Sequence, residues 1–279
     1  MQQLRMMSPV AVAVLVAIGC GGSKPQSASA TQGAQDETAS SVQLAQATGQ
    51  PSPDTSPPGA STQPAGSGGA SIVGTVRLVG PPPAPQPIGM DADPVCQQQH
   101  ATPAMSEAVV VNPAGMLQNV FVYVQEGVQG SFPPPAAPVV VDQAGCGYHP
   151  HVSGIQVNQP LELVNSDSTL HNVNAKPANN PPFNVAQPVK GMKTTKKFTK
   201  PEVMVSFKCN VHPWMQGYLG VVDHPFFAVS REDGSFAIPH VPAGTYVLEA
   251  WHERYGTQRQ TVSVGEGETK TVEWSFKAQ

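Results

Sequence analysis

Charge is scarce in this chain: only 12% of its 279 residues are Asp, Glu, Lys or Arg, and the formal net charge is -4. That balance argues against a nucleic-acid partner, which calls for a strongly basic surface. Four cysteines are too few for a disulfide scaffold, so each is read on its own. The apolar run Val10–Ile18 has nine residues, short of the roughly 20 that a membrane-crossing helix needs. No segment shows a sustained helical stripe with a cap. What is abundant is punctuation. Thirty prolines and 26 glycines make up a fifth of the chain, so part of it cannot bury a core.

That part comes first. Arg5, the apolar run and Ala17-Ile18-Gly19-Cys20 resemble the lipobox of bacterial lipoproteins, with Ala17 where the usual Leu stands and Leu15 two positions earlier. The resemblance implies a signal peptide over residues 1–20, acylation of Cys20, and a position on the periplasmic or cell-surface side of a bacterial membrane, held by lipid. An ordinary secretory signal with Cys20 left as a free thiol is the alternative. Residues 21–70 are Ser, Ala, Gln, Gly, Thr and Pro apart from Lys24, Asp36, Glu37, Val42, Leu44 and Asp54, with no aromatic side chain. They predict a disordered tether with a root-mean-square span of roughly 40 Å.

From residue 71 the pattern changes to short β-branched and aromatic runs bounded by Pro, Gly, Asn or Asp. The runs are 72–79, 109–111, 120–124, 139–141, 155–157, 161–164, 203–207, 218–222, 236–238, 246–250, 261–264 and 271–276. Many short strands at this spacing predict an all-β architecture of sandwiches or barrels.

The chemistry concentrates between His171 and Met215. Cys209-Asn210-Val211-His212-Pro213-Trp214-Met215 has the spacing CxxHxxM directly after an apolar strand, and His171-Asn172-Val173 lies 38 residues upstream of Cys209. One thiolate, two imidazoles and a thioether make the ligand set of a blue-copper electron-transfer site: soft sulfur favours Cu(I), and imidazole accepts both oxidation states. The competing reading is that these are packed core residues, since free Cys is among the most buried types. With four protein ligands no position stays open for a substrate, so an electron carrier rather than an enzyme is expected. Pro213 and Gly217 suit the tight turn this convergence requires, and Trp214 with the loop around it predicts either an apolar approach to His212 or packing against a second domain.

CxxHPxM followed by a Gly-Val-Val strand, with HNV upstream, resembles the cupredoxins, most closely their amicyanin branch. The match runs from about Val139 to Val222. It implies a Greek-key sandwich over residues 137–223 and one type 1 copper held by His171, Cys209, His212 and Met215. It also implies that Asn172 braces the loop by hydrogen bonds, and that a redox protein outside the cytoplasm is the partner. Copper storage or delivery, or surface recognition, is the rival role. Lys190, Lys193, Lys196, Lys197 and Lys200 either form a docking face for an acidic partner or guard an edge strand against pairing.

With Cys20 acylated and Cys209 on copper, a Cys96–Cys146 disulfide is the default in an oxidising compartment. A second metal centre, with Cys96 and His100 beside Cys146, His149 and His151, is the alternative. Residues 224–279, with Asp233-Gly234 as a hairpin turn and Tyr246 and Leu248 returning along a core, resemble the carboxypeptidase regulatory-like (transthyretin-like) β-sandwich. There His252 and Glu253 mark either a binding site or an ordinary rim. Residues 71–136 supply strands either to that sandwich, with the cupredoxin inserted in it, or to the cupredoxin in a plain tandem.

Overall fold

The computed structural model describes residues 69–278. The expected signal peptide, Cys20 and almost all of the expected tether lie outside these residues. The described chain is all-β apart from one five-residue helix, and it holds no helix long and apolar enough to cross a membrane.

The first elements are β1 (Ala70–Val79), the helix α1 (Pro94–Gln98) and β2 (Phe121–Glu126). Nine strands follow: β3 (Val139–Ala144), β4 (Gly147–His149), β5 (Val152–Gln156), β6 (Leu161–Asn165), β7 (His171–Ala175), β8 (Phe183–Gln187), β9 (Lys193–Lys196), β10 (Glu202–Lys208) and β11 (Gln216–Val222). The last are β12 (Phe227–Val229), β13 (Ser235–Val241), β14 (Gly244–His252), β15 (Gly256–Val264) and β16 (Thr269–Lys277).

Strands β3 to β11 form one sandwich, with sheet β4-β3-β6-β9 against sheet β5-β11-β10-β7-β8. Its core takes alternate residues of each strand, among them Val141, Ile155, Leu161, Leu163, Val173, Val205, Phe207, Leu219 and Val221. The remaining strands form another, with sheet β13-β1-β16 against sheet β12-β2-β14-β15. There β1 presents Ala70, Ile72, Val76 and Leu78 inward, and it runs parallel to β16 from Ser71 opposite Thr269 to Val79 opposite Lys277. The second sandwich therefore draws its strands from both sides of the first in sequence.

A glycine pair joins the two. Gly154 of β5 and Gly220 of β11 stand opposite one another, and a Cβ on either would meet a ring carbon of Phe227 or Phe121 at 2.4 Å. The missing side chains leave a shallow floor into which β2 and β12 set those two rings. Phe121 is wholly buried there with Tyr123, Val152 and Val222 around it, a burial worth about 2 kcal/mol for such a side chain.

Four expectations from sequence need correction. The run 109–111 is not a strand; only Val111 forms a bridge, to Leu117, because the chain there is part of a long excursion between β1 and β2. Asp233-Gly234 does turn the chain, with Gly234 at φ 71°, yet it makes no hairpin: β12 pairs with β2 while β13 pairs with β1 in the opposite sheet. Gly217 lies inside β11 rather than in a turn, where an added Cβ would stand 3.2 Å from the Cβ of Tyr148. The chain also holds a capped helix, α1: Asp93 accepts a hydrogen bond from the Val95 amide at 2.8 Å and Pro94 opens the first turn.

Candidate metal centre

Register brings the two ligand segments together. Strands β7 and β10 pair antiparallel through Ala175 opposite Phe207 and Asn174 opposite Lys208, so the start of β7 lies beside the residues that follow β10. Those residues, Cys209 to Met215, form a closed loop, because the Cys209 amide donates to Met215 O at 3.3 Å and the Met215 amide to His212 O at 3.0 Å. Asn172 ties the segments: its Oδ1 accepts from the Asn210 amide at 2.7 Å and lies 3.4 Å from Cys209 Sγ. Its Nδ2 in turn donates to Asn184 Oδ1 at 2.6 Å.

His171, Cys209 and His212 converge, with one donor atom from each within 4.8 Å of the others. The two imidazole Nδ1 atoms are 2.9 Å apart, and His212 Nδ1 is 3.8 Å from Cys209 Sγ. All three side chains are buried, as is Met215.

The opposite ring nitrogens face carboxylates. His171 Nε2 is 2.8 Å from Asp167 Oδ2, and His212 Nε2 is 2.9 Å from Asp93 Oδ2. The hydrogen bond from His212 holds the Asp93 carboxyl down at about 2, with help from the Val95 and Cys96 amides and Thr169. Burial pushes Asp167 up, but hydrogen bonds from His171 and from the Cys146 and Gly145 amides outweigh it and leave the group below its usual range. Both carboxylates are thus ionised at neutral pH and can only accept. Each Nε2 must carry a proton, and each Nδ1 turns a lone pair inward, toward the other and toward the sulfur.

Two facing lone pairs at 2.9 Å repel unless a cation sits between them. In the metal-free protein a proton does so. Burial depresses His171, yet Asp167 and Cys209 overcome that and raise it to about 9. Burial likewise raises Cys209, but His171 and the loop amides bring it down to about 6. A metal ion held by these donors would take the place of that proton. The donors, two imidazole nitrogens and a thiolate with the buried Met215 thioether in the same loop, are those that copper takes.

The surroundings are partly as the sequence implied. Trp214 lies with its ring 5.0 Å from that of His212 and donates from Nε1 to Cys146 O at 3.1 Å. Cys96 and Cys146 form a disulfide. Two further groupings, Asp93-Cys96-His212 and Cys146-Asp167-His171, have their sulfurs engaged in that bond. The three histidines of the alternative second centre are occupied too: His100 bonds Gly145 O at 2.7 Å, His149 bonds Ala144 O at 3.0 Å, and His151 pairs with Glu253. His252 is buried, and burial lowers it to about 4, so it stays neutral in the core of the second sandwich. Of the lysines, Lys193 and Lys196 lie on β9 at the edge of its sheet, and Lys193 is paired with Glu162 at 2.8 Å.

Asp93 and Asp167 are the residues that sequence reasoning missed. Their signal was slight: Asp167 stands four residues before His171, and Asp93 precedes a proline. Either reads equally well as an ordinary turn or cap. The approach to His212 differs from expectation as well, since the ring is only 2% exposed beneath the excursion that carries Asp93 and Cys96.

The model of one protein family, polysaccharide lyase family 4, domain II, matches residues 222–272. No curated protein matches the chain. Among solved structures, a Cu-containing nitrite reductase from Thermus scotoductus SA-01 is 28% identical over 36% of this chain, with a TM-score of 0.29, and the chain spans 25% of its length. A purple cupredoxin from Nitrosopumilus maritimus is 24% identical over 30% of this chain and 98% of its own, with a TM-score of 0.26. An oxidized amicyanin mutant is 23% identical over 30% of this chain and 81% of its own, with a TM-score of 0.27.

Proposed function

We propose that the chain is an exported, lipid-tethered copper protein that carries single electrons between partners outside the cytoplasm. The observation that carries this reading is the inward-facing pair of Nδ1 atoms beside the Cys209 sulfur, each ring fixed by a carboxylate at its far nitrogen. Copper held there would supply a one-electron couple, with the sulfur and two imidazoles serving both oxidation states.

The protein's own part is to hold the donors still. Asn172 fixes the loop through the Asn210 amide, and the amide of His212, which donates to Cys209 Sγ at 3.4 Å, keeps the thiolate in place. The sandwich core behind Val173, Phe207 and Met215 excludes water, which keeps reorganisation small when the charge changes. All the donors belong to the protein, so the reading includes no catalytic turnover. The lysines of 190–200 are read as edge protection rather than as a docking face, since β9 closes its sheet.

Voltammetry of the copper-loaded full-length chain tests this. A reversible one-electron wave, absent in Cys209→Ser, supports electron transfer. Tight Cu(I) uptake without a reversible wave would instead support storage or delivery.

A further inference from the structure

The excursion between β1 and β2 returns to the metal end of the first sandwich and is fastened there. Cys96 of α1 is bonded to Cys146, Met90 is buried in the same core, and His100 holds Gly145 O. The carboxylate of Asp93 is divided between two tasks. Its Oδ1 caps α1 through the Val95 amide, and its Oδ2 takes the Nε2 proton of His212 at 2.9 Å and the Thr169 hydroxyl at 3.0 Å.

We propose that Asp93 is a positioning residue for the metal centre: it locks the His212 ring with Nδ1 inward and places a fixed negative charge behind it, favouring Cu(II) over Cu(I). The inference rests on the copper reading above. Three observations support it. The imidazole is buried, so no water competes for Nε2. The carboxylate comes from a segment outside the ligand sandwich and is held by bonds of its own. An anion hydrogen-bonded to a ligating imidazole raises its basicity, and losing such a partner typically costs 10- to 100-fold in metal affinity. Because the charge helps the more highly charged ion more, its loss shifts the balance toward Cu(I).

Two substitutions in the full-length chain separate this role from helix capping. Asn caps a helix as well as Asp does but has a single oxygen, so Asp93→Asn keeps the cap and turns an amide N–H toward the ring, removing both the charge and the acceptor for Nε2. Ser also caps, but Asp93→Ser is too short to reach the ring. We expect Asp93→Asn to weaken Cu(II) binding about tenfold relative to Cu(I), which is an upward potential shift of about 59 mV for a one-electron couple. The Nε2 proton of His212 should appear as a slowly exchanging NMR signal in the Cu(I) form of the wild type, and be lost in both Asp93→Asn and Asp93→Ser. An unchanged potential in Asp93→Asn, or a fast-exchanging proton in the wild type, overturns the proposal while leaving the copper reading intact. A wild type that binds no copper sinks both.

Discussion

The metal-free site should hold a thiolate and an imidazolium side by side over a wide pH range, and this can be measured before any copper is added. Cys209 is brought down to about 6, while His171 is raised to about 9 by Asp167 and Cys209 against its burial. At pH 7 a thiol of that acidity is about nine-tenths ionised, against about 3% for one at the ordinary value near 8.5. The perturbation is a pH titration of the full-length apoprotein, followed by thiolate absorbance with Cys209→Ser as the blank. Between the two values the thiolate is already free and the imidazole still protonated. Copper must then release about one proton per ion in that window, and its apparent affinity must rise about tenfold per pH unit. Below about 6 the thiol regains its proton and the release approaches two. Asp167→Asn should lower His171 and thereby raise Cys209, moving the thiolate midpoint up. A thiolate midpoint at or above 8.5 in the wild type, or no proton release on copper binding near pH 7.5, would refute the facing-Nδ1 geometry.

Asn172→Ala removes the acceptor for the Asn210 amide and should cost about 1–3 kcal/mol, with a faster-exchanging Asn210 amide as the direct readout; an unmoved exchange rate would show that the loop is held by other contacts. Gly220→Ala forces a Cβ into the Phe121 ring and should destabilise by about 1–3 kcal/mol in denaturant unfolding, whereas a neutral effect would mean that the two sandwiches do not interlock there. Replacing both Cys96 and Cys146 by Ser opens a cross-link spanning 50 residues and should cost about 4 kcal/mol by the loop-entropy estimate. That variant should also admit solvent to His212, seen as rapid exchange of its ring proton, and a loss under 1 kcal/mol would argue that the excursion is anchored without the bond.

What could be read from the chain depended on whether the signal was local. Cys209, His212 and Met215 lie within one heptapeptide after an alternating strand, so their chemistry was visible, and His171 stood out in HNV. The disulfide followed from counting thiols. Thr269–Lys277 advertised itself by alternation and Val139–Ala144 by its run of three valines. Strands β7 to β9, HNVNA, FNVAQ and KTTK, did not, because their polar residues are held in the sheet by pairing rather than by propensity. The parallel match of β1 with β16 was out of reach for a further reason: nothing in either strand names a partner almost 200 residues away. Asp93 was hidden by its own ambiguity, since a carboxylate before a proline is a sufficient helix cap and only folding shows that its second oxygen meets His212.

The most direct test of the central claim is a copper titration of the full-length apoprotein followed by visible absorption, beside Cys209→Ser. The account predicts saturation at one copper per chain with an intense thiolate-to-Cu(II) band that bleaches on reduction and returns on oxidation, and no such band in the variant. Equal copper uptake by both proteins with no visible band in either would contradict it.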